Sequence, residues 1–355
     1  MNDFNLLKYS EIFIEWYKDN KRDLPWRNTE NPYHIWISEI ILQQTRVAQG
    51  YNYYLRFIER FPDVASLAGA KQEEVLKYWQ GLGYYSRARN LHDAAKDIMN
   101  RFGGIFPNKY DDVISLKGIG EYTAAAILSF VWNQPYPVLD GNVFRVLGRL
   151  FAIETPIDTG SGKKEFMKLG KALMNVRSAG LYNQAIMEFG ALQCIPQNPD
   201  CTRCPFFTYC LGYRSGNVQQ FPVKQNKIKT RNRYLNYFHI TYNGYTYLQR
   251  RAGKDIWEGL FEFPLIESEQ ILDFEKLQQT KEFKIMFDKI SQPFFSKRED
   301  SIKHILSHQI LYVAFYKVEI QNENECLRKF LKIPISSVDD YPVSKLIYSY
   351  LTRQD

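Results

Sequence analysis

Apolar positions change period once along the chain, from roughly 3.6 residues to 2. Phe4, Leu7, Ile12, Ile14 and Trp16 stand among charged residues, which predicts an amphipathic helix over 4–18. Asp23-Leu24-Pro25-Trp26-Arg27 breaks it, since proline and the residue before it leave the helical region. HIWISEIILQQTRVAQ (34–49) reads as one helix apolar on nearly every face, and 51–60, 72–79 and 88–101 as amphipathic helices. Leu116-Lys117-Gly118-Ile119-Gly120 then places two glycines before a helix at 121–132 that is rich in good helix formers. Further helices are expected from 141, over 164–176 and over 182–192, with no convincing strand up to Phe151. Beyond 234 the alternation of strands takes over. Residues 234–242, Asn243-Gly244 and 245–250 form a hairpin signature, 309–320 a later strand, and 343–352 a closing helix. The pattern predicts a mainly α first domain and an α+β second one.

Length and charge set the class. A chain of 355 residues exceeds what one hydrophobic core usually serves. With 45% hydrophobic and 24% charged residues it is globular rather than disordered. A net charge of +7 permits a polyanionic partner. MNDFNLLKYS lacks the basic and apolar regions of a secretory signal, and apolar stretches such as 124–128 are too short to span a bilayer. A basic linker is expected over 217–233, carrying Lys224, Lys227, Lys229, Arg231 and Arg233 with no acid from 223 to 233. Its charge could follow a phosphate backbone or simply be solvated.

Several positions carry candidate chemistry. Glu39 sits inside the apolar 34–49 run, where burial would raise its pKa and leave a neutral acid able to donate a proton. Gln43, Gln44 and Thr45 end that run with neutral hydrogen-bonding groups suited to base edges. Gly81-Leu82-Gly83-Tyr84-Tyr85-Ser86-Arg87-Ala88-Arg89 combines flexible backbone, an apolar wedge, aromatics and two arginines, the ingredients of a duplex-bending loop, and reads equally as a glycine turn that starts the next helix. Gly118 and Gly120 expose the first N–H groups of the following helix, an anion site, and Asp140 follows Pro135 and Pro137. Cys194, Cys201, Cys204 and Cys210 are spaced 6-2-5 within 17 residues. A single CxxC flanked by lone cysteines fits an iron–sulfur cluster better than a zinc ribbon. Cys326 is isolated and reads as a small hydrophobe.

WISEIILQQT, GLGYYSRARNL, LKGIGEYTAAAI, VLDGNVFRVLGR and the cysteine spacing occur in this order. Together they resemble the helix-hairpin-helix DNA glycosylases of the endonuclease III superfamily over residues 5–215, and within it the adenine-specific mismatch branch. That resemblance implies a helix-hairpin-helix glycosylase domain with an iron–sulfur loop (1–216) holding a 4Fe–4S cluster, and a Nudix-like domain (234–355) that recognises 8-oxoguanine. WEGLFEFP (257–264) resembles the second domain, but no acid-rich Nudix hydrolase box is present. Double-stranded DNA with adenine opposite 8-oxoguanine or guanine is the implied substrate, met by a monomer in the bacterial cytoplasm and nucleoid.

Tyr122 stands where bifunctional relatives carry the Schiff-base lysine, and a phenol cannot form that imine. Lys117 lies on the wrong side of the second glycine. The implied roles are Glu39 as the acid protonating adenine at N7 and Asp140 as the anion facing the sugar. Tyr122 and Asn142 position that sugar and its phosphate, and Ser307 and His308 meet 8-oxoguanine. Leu306 replaces an aromatic common before that Ser-His pair, and Gln184 occupies a position that varies between Glu and Gln. Two alternatives remain: an endonuclease III-like pyrimidine-damage glycosylase with lyase activity, and a non-catalytic iron–sulfur DNA-binding protein.

Overall fold

The computed structural model describes residues 3–226, 230–253 and 255–353. The chain separates into two compact units, residues 1–69 with 90–226, and residues 70–89 with 227–355. Among the described residues no helix is long and apolar enough to cross a membrane. Lys227 and Lys229 of the expected linker lie outside the described residues.

The first unit is helical. It contains α1 (Asp3–Asn20), α2 (Pro32–Leu42), α3 (Val47–Arg60), α4 (Val64–Gly69), most of α6 (Ser86–Phe102), α7 (Tyr110–Ser115), α8 (Glu121–Trp132), α9 (Gly141–Leu150), α10 (Gly160–Leu173), α11 (Ala179–Leu192) and α12 (Leu211–Arg214). The single helix expected over 34–49 is broken. The chain turns at Gln44, whose φ is +56°, and α3 restarts at Val47. The break lets α3 cross the end of α2 at Gly50, where a Cβ would come within 2.9 Å of Leu42. Asn31 caps α2 by accepting the Tyr33 N–H at 2.9 Å, with Pro32 at its first position, a favoured start. Tyr33 and every residue from Ile35 to Ile41 are buried. Ala124, Ala125 and Ala126, all buried, keep α8 thin where it packs between α2 and α11. Phe13, Phe166, Tyr182 and Phe189 fill a second core between α1, α9, α10 and α11.

The second unit is built on a seven-stranded sheet. Its strands are β1 (Arg231–Tyr242), β2 (Tyr245–Arg250), β3 (Phe261–Glu262), β4 (Leu265–Ser268), β5 (Phe294–Ile305), β6 (Gln309–Glu319) and β7 (Leu331–Pro334). The order is β3-β2-β1-β6-β5, with β4 also on β1 and β7 on β2. The Asn243-Gly244 turn has φ of +48° and +80°, as a two-residue I′ hairpin requires. β1 runs parallel to β6, pairing Tyr237 with Phe315. Side chains alternate along β1. Leu235 and Tyr237 join a core with Phe315, Ile347 and Tyr350, whereas Phe238 and Ile240 join one with Phe283, Tyr316 and Val318. Helices α13 (Phe274–Gln279), α14 (Lys281–Met286) and α15 (Lys345–Thr352) flank the sheet.

Two linker residues are corrected. Arg231 and Arg233 belong to β1, and Arg233 is buried with its guanidinium held by Glu267 at 2.6 Å and Asp255 at 2.8 Å. Its charge is already neutralised and is not offered to phosphate.

Residues 70–89, with α5 (Gln72–Trp79), pack on the second unit although sequence places them within the helical array. Gln80 accepts the Val343 N–H at 3.1 Å, and Arg89 binds Glu258 through its carbonyl (2.6 Å) and carboxylate (2.8 Å).

Candidate active site

Glu39 is carried by α2, the most buried helix of the first unit, and is itself 7% exposed. One carboxylate oxygen accepts the Tyr122 hydroxyl at 2.8 Å. Burial raises its pKa to about 7, the Tyr122 bond and Arg27 opposing and the Asp140 charge adding. Tyr122 comes from the first turn of α8, directly behind the glycine hairpin. Gly118 needs φ of +83°, and a Cβ there would lie 2.8 Å from Asn90. Only glycine fits. Lys117 turns outward to Asp93 at 2.5 Å, so no amine from the hairpin enters the cleft.

Asp140 ends the Pro135–Leu139 loop and caps α9, accepting the Val143 N–H at 2.7 Å and Asn142 Nδ2 at 2.9 Å. Burial raises its pKa, while those bonds pull it back toward the charged form. Arg145 fixes Asn142 in turn, donating to its side-chain oxygen at 2.8 Å and to the carbonyls of Gly190 (2.6 Å) and Cys194 (2.8 Å). Glu39, Tyr122, Asp140 and Asn142 thus share one cleft of about 740 Å³, with Gln43, Gln44 and Thr45 at its edge. A carboxyl held near neutrality and a helix-capping carboxylate in one cleft can supply an acid and an anion to the same bond.

Sequence reasoning missed a charged wall of this cleft. Glu188, on α11 and 1% exposed, takes Arg22 through Nε (2.8 Å) and Nη2 (2.6 Å), and Arg27 through Nη1 (2.8 Å) and Nη2 (2.6 Å). Burial alone would raise its pKa, but the bonds from Arg27 and Arg22 hold it at about 2. The available signal was a lone acid in the apolar run of 182–192. Leu24-Pro25-Trp26-Arg27, in sequence a helix breaker, supplies Trp26 and Arg27 to the lining. Gln184 lines the cleft and accepts the Tyr17 hydroxyl at 2.8 Å, so no second acid stands there. Glu188→Ala strands two guanidiniums without their counter-charge and is expected to lower unfolding stability by about 3 kcal/mol. Urea denaturation at pH 7 checks this; a loss below about 1 kcal/mol would contradict it.

Cys194, Cys201, Cys204 and Cys210 ring one small cavity beside Arg149. All four are free thiols. Among the described residues no three metal-binding side chains are gathered as a single ion requires. Arg149 is buried, bonded to the carbonyls of Val218, Ile195 and Pro196, and its Nη1 lies 3.5 Å from Cys194 Sγ.

In the second unit the 81–87 loop differs from its expected form. Leu82, expected as the wedge, is buried, and Tyr84 is the exposed ring, at φ +48°. Arg87, expected as a DNA-binding arginine of a duplex-bending loop, is buried with its guanidinium 5.2 Å from the Trp79 ring centre and a bond to the Gly83 carbonyl at 3.1 Å. It braces the loop. The Tyr84 hydroxyl is hydrogen-bonded to Ser307, and His308 beside it is exposed. Leu306, in place of an aromatic, still packs against the sheet core.

Residues 37–172 match the profile of the HhH-GPD superfamily of base excision DNA repair proteins, and 236–353 that of a NUDIX domain. The helical unit is similar to a thermostable thymine-DNA glycosylase (TM-score 0.55, 26% identity, 59% of this chain and 97% of that one). It shares its fold with endonuclease III in a non-covalent DNA complex (TM-score 0.53, 20% identity, 61% and 98%). The protein is therefore a DNA glycosylase of the helix-hairpin-helix class, a hydrolase of N-glycosyl bonds. Adenine DNA glycosylase from Buchnera aphidicola subsp. Baizongia pistaciae is 36% identical over 351 residues, 96% of each chain, and that from Homo sapiens 40% identical over 206 residues, 56% of this chain and 38% of that one. The chain belongs to the adenine DNA glycosylase (MutY) family.

Proposed function

We propose that the protein is a monofunctional glycosylase that hydrolyses adenine from DNA where it is mispaired with 8-oxoguanine or guanine. The observation that carries this reading is the cleft in which Tyr122, and no amine, bonds Glu39 opposite Asp140. Adenine in a duplex is out of reach until its nucleotide is extruded, which costs a few kcal/mol and least at a mispair. Departure of the base builds positive charge on the sugar, and adenine leaves readily only when protonated. Glu39, protonated near neutrality, donates to N7. Asp140 faces the oxocarbenium-like sugar, as in glycoside hydrolysis. Water completes the hydrolysis, because Tyr122 cannot form an imine. Asn142 and the Gly118–Gly120 hairpin hold the phosphates on either side, and Gln43, Gln44 and Thr45 meet the distorted stack.

The four cysteines would hold the 4Fe–4S cluster of this reading. They line one cavity as four thiolate donors, and Arg149 beside Cys194 would offset the negative charge of a cluster bound there. Bound there, the cluster supplies loop ordering and a one-electron centre. Residues 1–216 would then be the catalytic domain and 234–355 the domain that reads the opposite base, through Ser307 and His308 with Tyr84 as the inserted ring.

The test is a duplex with one adenine opposite 8-oxoguanine. Free adenine should accumulate, with strand breaks only after alkali. Scission without alkali, or a borohydride-trapped protein–DNA adduct, would overturn the monofunctional reading. Absence of free adenine would overturn the substrate.

A further inference from the structure

A second cleft of about 920 Å³ opens on the first unit, between α8 and α10. Tyr122 lines it as well as the catalytic cleft, and Leu139, the neighbour of Asp140, forms part of its wall. Its chemistry is different. The α10 rim carries Lys163, Lys164, Lys168 and Lys171, all exposed, and none has a carboxylate partner among the described residues. Lys117, Arg101 and Arg203, also exposed on the first unit, are paired with Asp93, Asp97 and Asp200. The exposed cations without a carboxylate partner among the described residues, such as Lys8, Lys21, Lys96 and Lys109, are not gathered on one helix face as the α10 lysines are. At about 100° per residue, Lys164, Lys168 and Lys171 fall within an arc of roughly 60° on one face of the helix. The facing wall holds Tyr110 and Tyr136, stacked at 4.8 Å between ring centres. Glu121 is the one acid on the lining.

We propose that this cleft binds the phosphate backbone of the adenine-bearing strand where it leaves the extruded nucleotide. Three exposed cations on one helix face, with Lys163 beside them and no carboxylate partner among the described residues, suit a polyanion, and the shared Tyr122 sets this cleft against the wall of the site that holds the extruded sugar. From Lys164 to Lys171 the helix rises about 10 Å, the axial rise of about three nucleotides of one strand. The lysines therefore match two or three successive phosphates, with the tyrosine hydroxyls as further donors. Contacts of this kind position the duplex without reading sequence. The inference rests on the glycosylase reading above and extends it from the hairpin to the α10 face of the neighbouring cleft.

The test compares the full-length protein with its Lys164→Gln/Lys168→Gln/Lys171→Gln variant, using duplexes that carry adenine opposite 8-oxoguanine and measuring Kd against salt. On a long duplex the variant should lower the slope of log Kd against log salt by about 2 to 3, close to 0.9 for each phosphate that is no longer neutralised. The corresponding triple Lys→Arg variant should restore it. Two shortened duplexes, cut back to the adenine on one side or the other of its strand, should behave differently: the slope difference disappears on one and persists on the other. An unchanged slope on the long duplex, or a difference that persists on both shortened ones, overturns the proposal. So does competition by an acidic peptide with no change in the DNA slope, which assigns the cleft to a protein partner. Thermal unfolding of both variants verifies that the helix is intact. Failure of the unmodified protein to release adenine at all would instead overturn the glycosylase reading.

Discussion

Glu39→Gln should abolish adenine release, with a single-turnover rate at least a thousandfold below that of the unmodified protein at pH 7. General acids contribute about 10²- to 10⁴-fold, and an unprotonated adenine has no alternative donor of suitable pKa in this cleft. Glutamine keeps the volume of the side chain and can still accept the Tyr122 hydroxyl, so duplex binding should persist. The pH dependence follows from the same burial. Glu39 is protonated below about 7 and ionised above it, so the rate of the unmodified protein should fall about tenfold per pH unit above that point. Stability carries the matching sign. The folded carboxyl holds its proton up to about 7 and the unfolded one only to its ordinary 4.5. Between those values the folded state binds more protons, and stability decreases as pH rises. The difference of about 2.5 units corresponds to about 3 kcal/mol at about 1.4 kcal/mol per unit. Glu39→Gln should therefore unfold at higher urea than the unmodified protein at pH 8, with the gain shrinking as the pH falls below about 7 and gone near 4.5. A variant that excises normally, or that is less stable at pH 8, would remove Glu39 from the acid role.

The acid at residue 39 was legible because an ionisable group in the middle of WISEIILQQT violates the period of its own helix. Asp140 was legible as a carboxylate delivered by a loop that two prolines punctuate, and Tyr122 only through the resemblance, which places the bifunctional relatives' lysine at that position. The hairpin at Asn243-Gly244 and the sheet class followed from local turn chemistry alone. What failed was tertiary. A run apolar on every face gives no sign of where it breaks, so the left-handed turn at Gln44 is hidden inside one apparent helix. Basic residues after 223 look alike in sequence, although Arg233 is neutralised by Glu267 and Asp255, both distant from it along the chain. Leu82 and Arg87 look like the wedge and the arginine of a duplex-bending loop, yet the loop buries both and exposes Tyr84. The Arg22–Arg27–Glu188 wall joins segments that are 166 and 161 residues apart. No local pattern announces such a pairing. The α10 lysines look in sequence like the polar side of a helix, because their lack of partners shows only once the carboxylates are placed.

Asp140→Asn separates two roles that one side chain holds. As the cap of α9, Asp140 accepts the Val143 N–H, and asparagine caps a helix about as well as aspartate. Folding stability should therefore stay within about 1 kcal/mol of the unmodified protein. As the anion facing the sugar, Asp140 has no substitute. A unit charge about 4 Å from the developing oxocarbenium is worth about 4 kcal/mol at an intermediate effective dielectric. Its loss should slow adenine release by about a thousandfold. The residual rate carries a further sign. The Asp140 charge raises the pKa of Glu39, so its removal should move the alkaline limb of the pH–rate profile to lower pH. A merely structural Asp140 predicts instead that asparagine, which keeps the cap, leaves the rate of adenine release within a few fold of the unmodified protein. Asp140→Ala, which loses cap and charge together, should match the asparagine variant in rate and fall about 1 kcal/mol below it in stability. The anion role is then carried by the effect on rate that both variants share, and the cap by the stability that separates them.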